Sequence, residues 1–307
     1  MRDQDTSQGR VHGRAGRALL AGLAAGCLAL LGGAAPASAS TEIKGRAGKE
    51  VFKKFVDCPV SAGEYCTYGE TLSGEFKIGN KTTPIEHPLI LQGGLPSLGH
   101  LGALTEELIP PLYGAEEVSR TPQTIPGGLT GLGETGGPVT ATSELVNGGT
   151  VLVAPGKLYG AGVAVTLPIK IHLQNEQLGE NCYIGSDEDP VVLELTDSRT
   201  EPPEGVEPIE GKRGEQVGIL KGRALELRGN TLVSNTFAVP AATGCGTSPL
   251  NEAAVTAAVN ANAGLPSAAG NNVAILNGNV LNAQSKWVAK YDKKEIRAKE
   301  KAARAGK

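Results

Sequence analysis

Apolar and polar residues alternate with a period of two between Val163 and Leu173. The odd-numbered positions are all Val, Leu or Ile, and the even-numbered positions are Ala, Thr, Pro, Lys and His. This pattern predicts a β-strand with one buried face and one solvent-facing face. Pro168 lies within the stretch, and because proline cannot donate to a strand ladder, it predicts an edge position or a β-bulge.

Shorter segments repeat the alternation between Gly- and Pro-rich turns. They predict strands at Leu72–Ile78, Val139–Leu145, Val191–Leu195, and Val273–Leu281 through Gly278, and a pair of strands, Leu225–Arg228 and Val233–Val239, joined at Gly229-Asn230. At least seven short strands of this kind indicate an all-β fold, either a β-sandwich or a jelly-roll-like arrangement.

Helices are predicted to be few. Ser248 as N-cap, Pro249 at the first helical position and Gly264 past the end delimit a helix over Leu250–Ala263. Short helices are also considered at Lys49–Val56 and Leu98–Leu108. We therefore expect one or two short helices, together with a basic C-terminal helix or tail.

One long segment, Arg199–Gln216, is rich in Pro, Glu and Gly and predicts an exposed loop or a linker. A domain boundary, if there is one, falls here. We favour a single domain with a long surface loop.

The N-terminus has the organisation of a secretory signal peptide. Arg10, Arg14 and Arg17 precede the apolar stretch Leu19–Leu31, and Ala37-Ser38-Ala39 follows as a cleavage site. The predicted organisation is a signal peptide at 1–39, a disulfide-stapled β-rich domain at 40–285 and a basic tail at 286–307. No later segment is apolar enough to span a bilayer, which takes about 20 apolar residues.

Cys27 lies inside the apolar stretch, and Ala24-Ala25-Gly26-Cys27 loosely resembles a lipobox. In that alternative, the cysteine is lipidated and anchors the protein. We favour removal of Cys27 with the signal peptide, because Ala24 stands where a lipobox usually has Leu and because apolar residues continue to Leu31.

Four cysteines remain after removal of the signal peptide: Cys58, Cys66, Cys182 and Cys245. An even number in an exported chain predicts disulfides, and their spacing does not fit a zinc site. Four cysteines allow three pairings. We favour Cys58–Cys66 with Cys182–Cys245, since the first pair brackets a short turn-like stretch.

Charge is distributed unevenly along the mature chain. Residues 286–307 hold nine basic and three acidic residues, whereas residues 40–285 hold sixteen basic and twenty-seven acidic residues. Such a segment is typical of an interaction tail, and a solvated terminus is the alternative. Trp287 and Tyr291, four residues apart, are predicted to share a helical face there. The candidate polyanion-binding residues are Lys286, Lys290, Lys293, Lys294 and Arg297.

Catalytic motifs are not recognisable in the chain. The sequence contains no G-x-S-x-G, S-x-x-K or H-E-x-x-H pattern. His172 is expected on the solvent face of its strand. His100 precedes Glu106 and Glu107 at roughly helical spacing, which could form a metal or acid–base site. Asp187 and Asp189 are candidate Ca²⁺ ligands, with an acidic turn before Pro190 as the alternative.

Five segments of the mature domain form a combined pattern: Ser73–Lys81, Leu91–Gly94, Asn181–Ser186, Gly244–Gly246 and Gly264–Gly270. In these segments the chain resembles a group of uncharacterised secreted proteins from high-GC Gram-positive bacteria (actinobacteria). The resemblance extends to about residue 280 and implies no activity or functional residues.

Together these features predict a secreted or cell-wall-associated protein with a non-enzymatic structural or binding role. Its expected partner is an anionic wall polymer bound by the basic tail, and neither a cofactor nor a nucleic-acid partner is expected. The alternatives are a secreted hydrolase with a carboxylate site that sequence does not reveal, and a calcium-dependent adhesion module.

If the signal peptide is cleaved as predicted, the exported protein begins at Ser40. Mass spectrometry of the secreted protein should find a chain that starts there, with all four remaining cysteines oxidised. A cytosolic protein that retains Met1–Ala39 with reduced thiols would contradict this prediction.

Overall fold

Two β-sheets and a group of helices make up the part of the chain that the structure describes. The structure is a computed structural model, and it describes residues 41–97, 105–112, 114–129 and 137–305. The predicted signal peptide with Cys27, and His100, lie outside these residues. The described residues belong to one compact unit that begins after Ala39.

Sheet 1 contains seven strands within the described ranges, ordered β1-β12-β13-β15-β2-β3, with β4 also paired to β2. All neighbours are antiparallel except β1 and β12. The strands are β1 (Glu42–Ile43), β2 (Tyr65–Ile78), β3 (Lys81–Pro84), β4 (Leu89–Leu95), β12 (Glu215–Ile219), β13 (Ala224–Ser234) and β15 (Val273–Gln284).

Sheet 2 contains eight strands among the residues described, and it is built around β9. Strands β7, β8, β10 and β11 all pair with β9 in antiparallel register, while β5, β6 and β14 extend the sheet. The strands are β5 (Glu106–Glu107), β6 (Gln123–Thr124), β7 (Thr140–Leu145), β8 (Leu152–Val153), β9 (Val165–Gln174), β10 (Tyr183–Ile184), β11 (Val191–Leu195) and β14 (Ala242–Thr243).

The main hydrophobic core lies between the two sheets. Along β9 every odd-numbered residue from Val165 to Leu173 is buried, and β11 buries alternate residues in the same way. These side chains pack with Leu276 of β15 and Phe76 of β2 from sheet 1. The predicted all-β, sandwich-like fold is therefore confirmed.

Pro168 lies in the interior of sheet 2, and its prediction as an edge or bulge residue was wrong. It faces Val192 of β11 on one side, in an unbroken register. On the other side its carbonyl accepts a hydrogen bond from Val146 at 3.3 Å, where β7 has ended and β8 has not begun. The proline nitrogen faces this same gap, because the N–H and C=O of a strand residue point to one side. The reciprocal hydrogen bond to the Val146 carbonyl is absent because proline has no N–H, and the ladder between β7 and β9 ends here.

Two β-bulges in sheet 1 explain why the sequence-based predictions for Leu72 and for Gly229-Asn230 differ from the structure. In β2, Thr71 pairs with Gly278 and Ser73 with Asn277, so Leu72 is the extra residue and is 48% exposed instead of buried. In β13 the register shifts at Gly229, whose φ is +67°. The predicted hairpin at Gly229-Asn230 is therefore wrong, and this glycine forms a bulge within a single strand.

Helices pack on the face of sheet 1 that points away from sheet 2. Helix α1 (Gly45–Val51) continues as a 3₁₀ turn over Phe52–Phe55, and α3 (Ser285–Tyr291) and α4 (Lys293–Ala305) follow directly on β15. Phe52, Phe55, Val288 and Ile296 form a second core with Leu281 and Ala283 of β15 and Ala224 of β13. Sheet 1 is thus covered on both faces at this end.

Helix α2 (Glu252–Ala263) begins later than predicted. The backbone N–H groups of Asn251 and Glu252 donate to the Ser248 carbonyl, and Asn251 Oδ1 accepts a hydrogen bond from the Ser248 N–H at 3.0 Å. Ser248 and Pro249 therefore form a turn before the helix. The C-terminal prediction is confirmed, since Gly264 ends the helix with φ of +69°.

The described part of the predicted Leu98–Leu108 helix is a strand, because Glu106 and Glu107 pair with β8; residues 98–104 lie outside the described ranges. The Arg199–Gln216 segment folds back on itself through pairing of Arg199 with Glu210, and Lys212 pairs with Thr231 of β13. It is a surface loop pinned to sheet 1 that leads into β12.

Both predicted disulfides are present. Cys58–Cys66 closes a separation of eight residues and joins the end of the 3₁₀ region to β2, while Cys182–Cys245 closes a separation of 63 residues. Cys245 precedes α2, and Cys182 precedes β10. The second bridge therefore ties sheet 2 to a segment that is distant in sequence.

Because a crosslink restricts the unfolded chain more when its loop is longer, the two bridges should differ in their effect on stability. Replacing Cys182 and Cys245 by alanine should lower the free energy of unfolding by about 4 kcal/mol, and replacing Cys58 and Cys66 by about 2.5 kcal/mol. Urea denaturation of the two double variants measures both values. The reverse order would contradict the loop-length argument.

Candidate functional site

The basic C-terminal segment is ordered and anchored by apolar side chains. Val288 of α3 is 0% exposed and Ile296 of α4 is 5% exposed, and both lie in the second core beneath the helices. The intervening cations Lys290, Lys293 and Lys294 face solvent. Helices α3 and α4 therefore hold a set of cations on a fixed surface.

Four of the five predicted polyanion-binding residues line one surface groove: Lys286, Lys290, Lys293 and Arg297. All four are exposed, and the apolar residues Val60, Ala289 and Ile296 complete the groove. Lys294 is exposed but lies outside it. We call this surface the basic groove.

The groove cations lack acidic partners within the part of the chain that the structure describes. Neighbouring lysines, in contrast, are neutralised: Lys54 contacts Glu70 at 2.5 Å, Lys53 contacts Glu50 at 2.5 Å, and Lys299 pairs with Asp57. The groove thus brings four exposed cations together without an ion-pair partner among the described residues.

An aromatic platform lies beside the groove and gathers three cations. Arg223 lies 4.3 Å from the Trp287 ring centroid, and Lys290 and Lys286 lie 5.1 and 5.8 Å from it. Tyr291 is close to Trp287, with ring centroids 6.4 Å apart, as the four-residue spacing predicts. Cations over an indole face are attracted to its electron-rich surface.

Arg223 was missed by the sequence analysis. It lies 64 residues before Trp287, in the turn between β12 and β13, and its guanidinium donates a hydrogen bond to the Tyr291 hydroxyl. No local pattern marks it, because only the fold of sheet 1 brings this turn against α3. Arg223 fixes the two aromatic rings in place.

The buried Asp292 joins α3 to α4 and lies between Lys290 and Lys293 in the chain. It is 3% exposed, and its Oδ2 atom has no hydrogen-bond partner among the described residues. Burial raises the pKa of this carboxyl to about 6, and the charge of Glu295 adds to the effect while Lys53 opposes it. The carboxylate is therefore destabilised by folding.

The two candidate calcium ligands lie in the turn between β10 and β11. The Asp187 carboxylate accepts hydrogen bonds from Lys170 Nζ at 2.9 Å, from the Asn147 N–H at 2.9 Å and from Asn147 Nδ2 at 2.6 Å. The Lys170 hydrogen bond is the largest of the effects that lower the pKa of Asp187. Asp189 closes the turn through its backbone, which accepts a hydrogen bond from the Ser186 N–H. Asp187 thus ties the turn to β9 and to the loop after β7.

Within the described ranges, no group of three or more His, Cys, Asp or Glu side chains is arranged to hold a metal ion. The calcium hypothesis therefore stays a prediction without a supporting ligand set.

His172 lies on the outer face of sheet 2, as predicted, but its side chain is only 16% exposed. It stacks on Tyr183 with ring centroids 4.4 Å apart, lies 3.7 Å from Glu144 and has Nε2 3.0 Å from the Glu180 carbonyl. These contacts fill both sides of the imidazole. The arrangement is that of a packed surface residue linking β7, β9 and β10.

No protein-family model, curated protein or solved structure matches this chain. The resemblance to actinobacterial secreted proteins accordingly stays a prediction. In the portion of the chain that is described, no helix combines the length and apolarity required to cross a membrane.

The raised pKa of Asp292 predicts a pH dependence of stability. The pKa of Asp292 is about 6 in the folded protein and 3.8 ordinarily, so between about pH 4 and 6 the folded state binds more protons than the unfolded state. The free energy of unfolding should therefore fall as the pH rises through this range. Asp292→Asn should remove this slope and stabilise the protein at pH 7 by up to about 3 kcal/mol.

Denaturant unfolding of the wild type and of Asp292→Asn between pH 4 and 8 measures the difference. Glu204→Gln, at an exposed loop position, removes one charge without relieving burial and serves as the control. Identical pH profiles for wild type and Asp292→Asn would show that the buried carboxyl carries no penalty.

Proposed function

We propose that this is a secreted binding protein that attaches to anionic cell-wall polymer through the basic groove. The observation that carries the proposal is the convergence of Lys286, Lys290, Lys293 and Arg297 on one groove without acidic partners among the described residues. Long phosphate- or carboxylate-bearing polymers present a row of negative charges that matches such a row of cations.

The charge of the remaining mature chain supports a single binding face. Residues 40–285 carry sixteen basic and twenty-seven acidic residues, so the β-rich domain as a whole repels polyanions. Net attraction is therefore expected at the C-terminal helices, where basic residues outnumber acidic ones by nine to three. This polarity also disfavours a nucleic acid that wraps the domain, because such binding needs basic residues over a wide surface.

Export is supported by the two disulfides, which persist in oxidising compartments. The N-terminal Arg-rich and apolar segments supply the expected route. Attachment through four exposed cations is reversible and depends on salt, because each neutralised anionic group releases a counterion. The protein would consequently be retained at the wall in dilute medium and released by salt.

Neutralising the groove should weaken binding strongly and leave the fold intact. The variant Lys286→Gln, Lys290→Gln, Lys293→Gln, Arg297→Gln keeps the apolar residues that dock α3 and α4, whereas deleting residues 286–307 would remove Val288 and Ile296 from the core. We expect the wild type to bind isolated cell walls and purified poly(glycerol phosphate), and to lose roughly 50-fold or more in affinity between 50 and 200 mM salt. The variant with all four substitutions should bind at least tenfold more weakly than the wild type at low salt.

The control carries the same loss of charge elsewhere, at the exposed residues Lys49, Lys77, Lys212 and Lys221. It should bind like the wild type. Trp287 is the single tryptophan of the chain, so its fluorescence reports binding at the groove directly. Unchanged affinity of the groove variant would overturn the proposal, and tighter binding of single-stranded DNA than of the wall polymer would identify a different partner.

A further inference from the structure

The inner face of sheet 1 carries small residues at its centre. Thr67, Gly69 and Thr71 of β2 and Gly278 of β15 point toward sheet 2 at adjacent register positions. The facing strand β9 carries large apolar side chains. The two sheets therefore do not fill the space between them.

The unfilled space is a cavity of about 110 Å³ lined by both sheets. A second cavity of about 50 Å³ shares Phe76, Leu89, Ile169 and Leu193 as walls. Protein interiors are normally packed as densely as organic crystals, and an apolar cavity of roughly 150 Å³ is enough to bind benzene. The larger cavity is of the size that accepts a small ring or a short chain.

Close backbone packing explains why residue 278 is a glycine, but it does not explain why residue 69 is one. A Cβ atom at Gly278 would lie 1.8 Å from the Glu70 carbonyl oxygen, so only glycine fits there. A Cβ atom at Gly69 would meet the Leu91 carbonyl at 3.6 Å and the Leu91 Cβ at 3.8 Å, which are ordinary contacts. A larger residue at Gly69 would favour the strand and fill the space, so glycine here keeps the cavity open at a cost in stability.

One buried polar group points to what the cavity holds. Asn230, opposite Gly278 in β13, lines the cavity, is 3% exposed, and its Oδ1 atom has no partner among the described residues. An unsatisfied buried amide oxygen is unfavourable, because burial removes the hydrogen bonds that it makes with water in the unfolded chain. A ligand hydroxyl would satisfy the side chain in either orientation of its amide, because a hydroxyl both donates and accepts.

The charge of the cavity wall selects a neutral ligand. Among the described residues that line the larger cavity there is no Lys, Arg or His, so a carboxylate or phosphate would find no counter-ion. Glu70 also borders it, but the Glu70 carboxylate is held by Lys54 at 2.5 Å on the opposite face of sheet 1. An anion would be buried unpaired there, which is strongly unfavourable.

We propose that the cavity between the sheets is a binding site for a small, neutral, apolar molecule with one hydroxyl group, which donates to Asn230. Phenolic or short-chain alcohols have this chemistry. The site is separate from the basic groove, because the cavity lies on the face of sheet 1 toward sheet 2 and the groove lies on the helices that cover the other face.

Phenol and benzene, which differ by one hydroxyl group, are the probes. Each should raise the melting temperature of the protein with increasing concentration, because a ligand that binds only the folded state stabilises it. We expect phenol to bind at least tenfold more tightly than benzene, measured by the concentration dependence of this shift and by calorimetry. Absence of any shift with either probe at millimolar concentration would overturn the proposal, since it would leave the cavity empty or filled by water alone.

Two variants test the location and the polar contact. Gly69→Leu should fill the cavity and abolish the shift, whereas Gly218→Leu, in a strand where a Cβ meets only the Glu42 side chain at 3.9 Å, should leave it unchanged. Asn230→Leu should bind benzene and phenol with equal affinity. If folded Gly69→Leu still binds the probes, the ligand does not occupy this cavity. If Asn230→Leu still prefers phenol, the hydroxyl group does not bond to Asn230. The Asn230→Leu result alone tests the proposal if Gly69→Leu fails to fold.

Discussion

The burial of strand β15 on both faces is the constraint on which the rest of this structure depends. Leu276 faces sheet 2 in the main core, and Leu281 and Ala283 face the helices in the second core. Neither layer alone would remove all of these side chains from water. Since α3 and α4 continue directly from β15, the position of the strand also fixes where the basic groove lies.

The two bulges beside Gly278 follow from the same strand. Each neighbour of β15 carries one extra residue near this glycine, Leu72 in β2 and Gly229 in β13. An extra residue reverses which face the following side chains occupy. The bulges thereby place Asn230 toward the cavity and Leu72 toward solvent, and they bring small residues together at the centre of the sheet.

Sequence reasoning succeeded where one physical pattern acts over a continuous segment. Val165–Leu173 could be predicted because its two faces have different solvent exposure along the whole strand, and the cysteine pairs because a short loop favours a local bridge. It failed where the outcome depends on a partner strand. Pro168 is tolerated inside the sheet only because β7 ends beside it, and the bulge at Gly229 resembles a hairpin turn until its neighbour is known.

The basic groove likewise has features that could be predicted from the local sequence and features that depend on the assembled fold. The cations of α3 and α4 and the Trp287–Tyr291 spacing are local and could be predicted from the segment itself. Arg223 and the pairing of Lys299 with Asp57 arise only after sheet 1 has assembled. Which lysines are free to bind an anion is therefore a property of the fold, because the count of charges in the sequence does not separate paired from unpaired cations.

In the two proposals made above, sheet 1 separates two kinds of binding chemistry that would interfere if they shared one surface. Binding of a polyanion needs exposed, hydrated cations, whereas an apolar alcohol needs a space from which water and charge are excluded. Glu70 and Lys54 illustrate the separation, because their ion pair lies on the helical face of β2 while the backbone of Glu70 borders the cavity on the other. Successive residues of β2 thus point to opposite faces of sheet 1, one toward the cavity and the next toward the helices. Gly69 points toward the cavity, so a larger side chain at this position would change the cavity without contacting the groove.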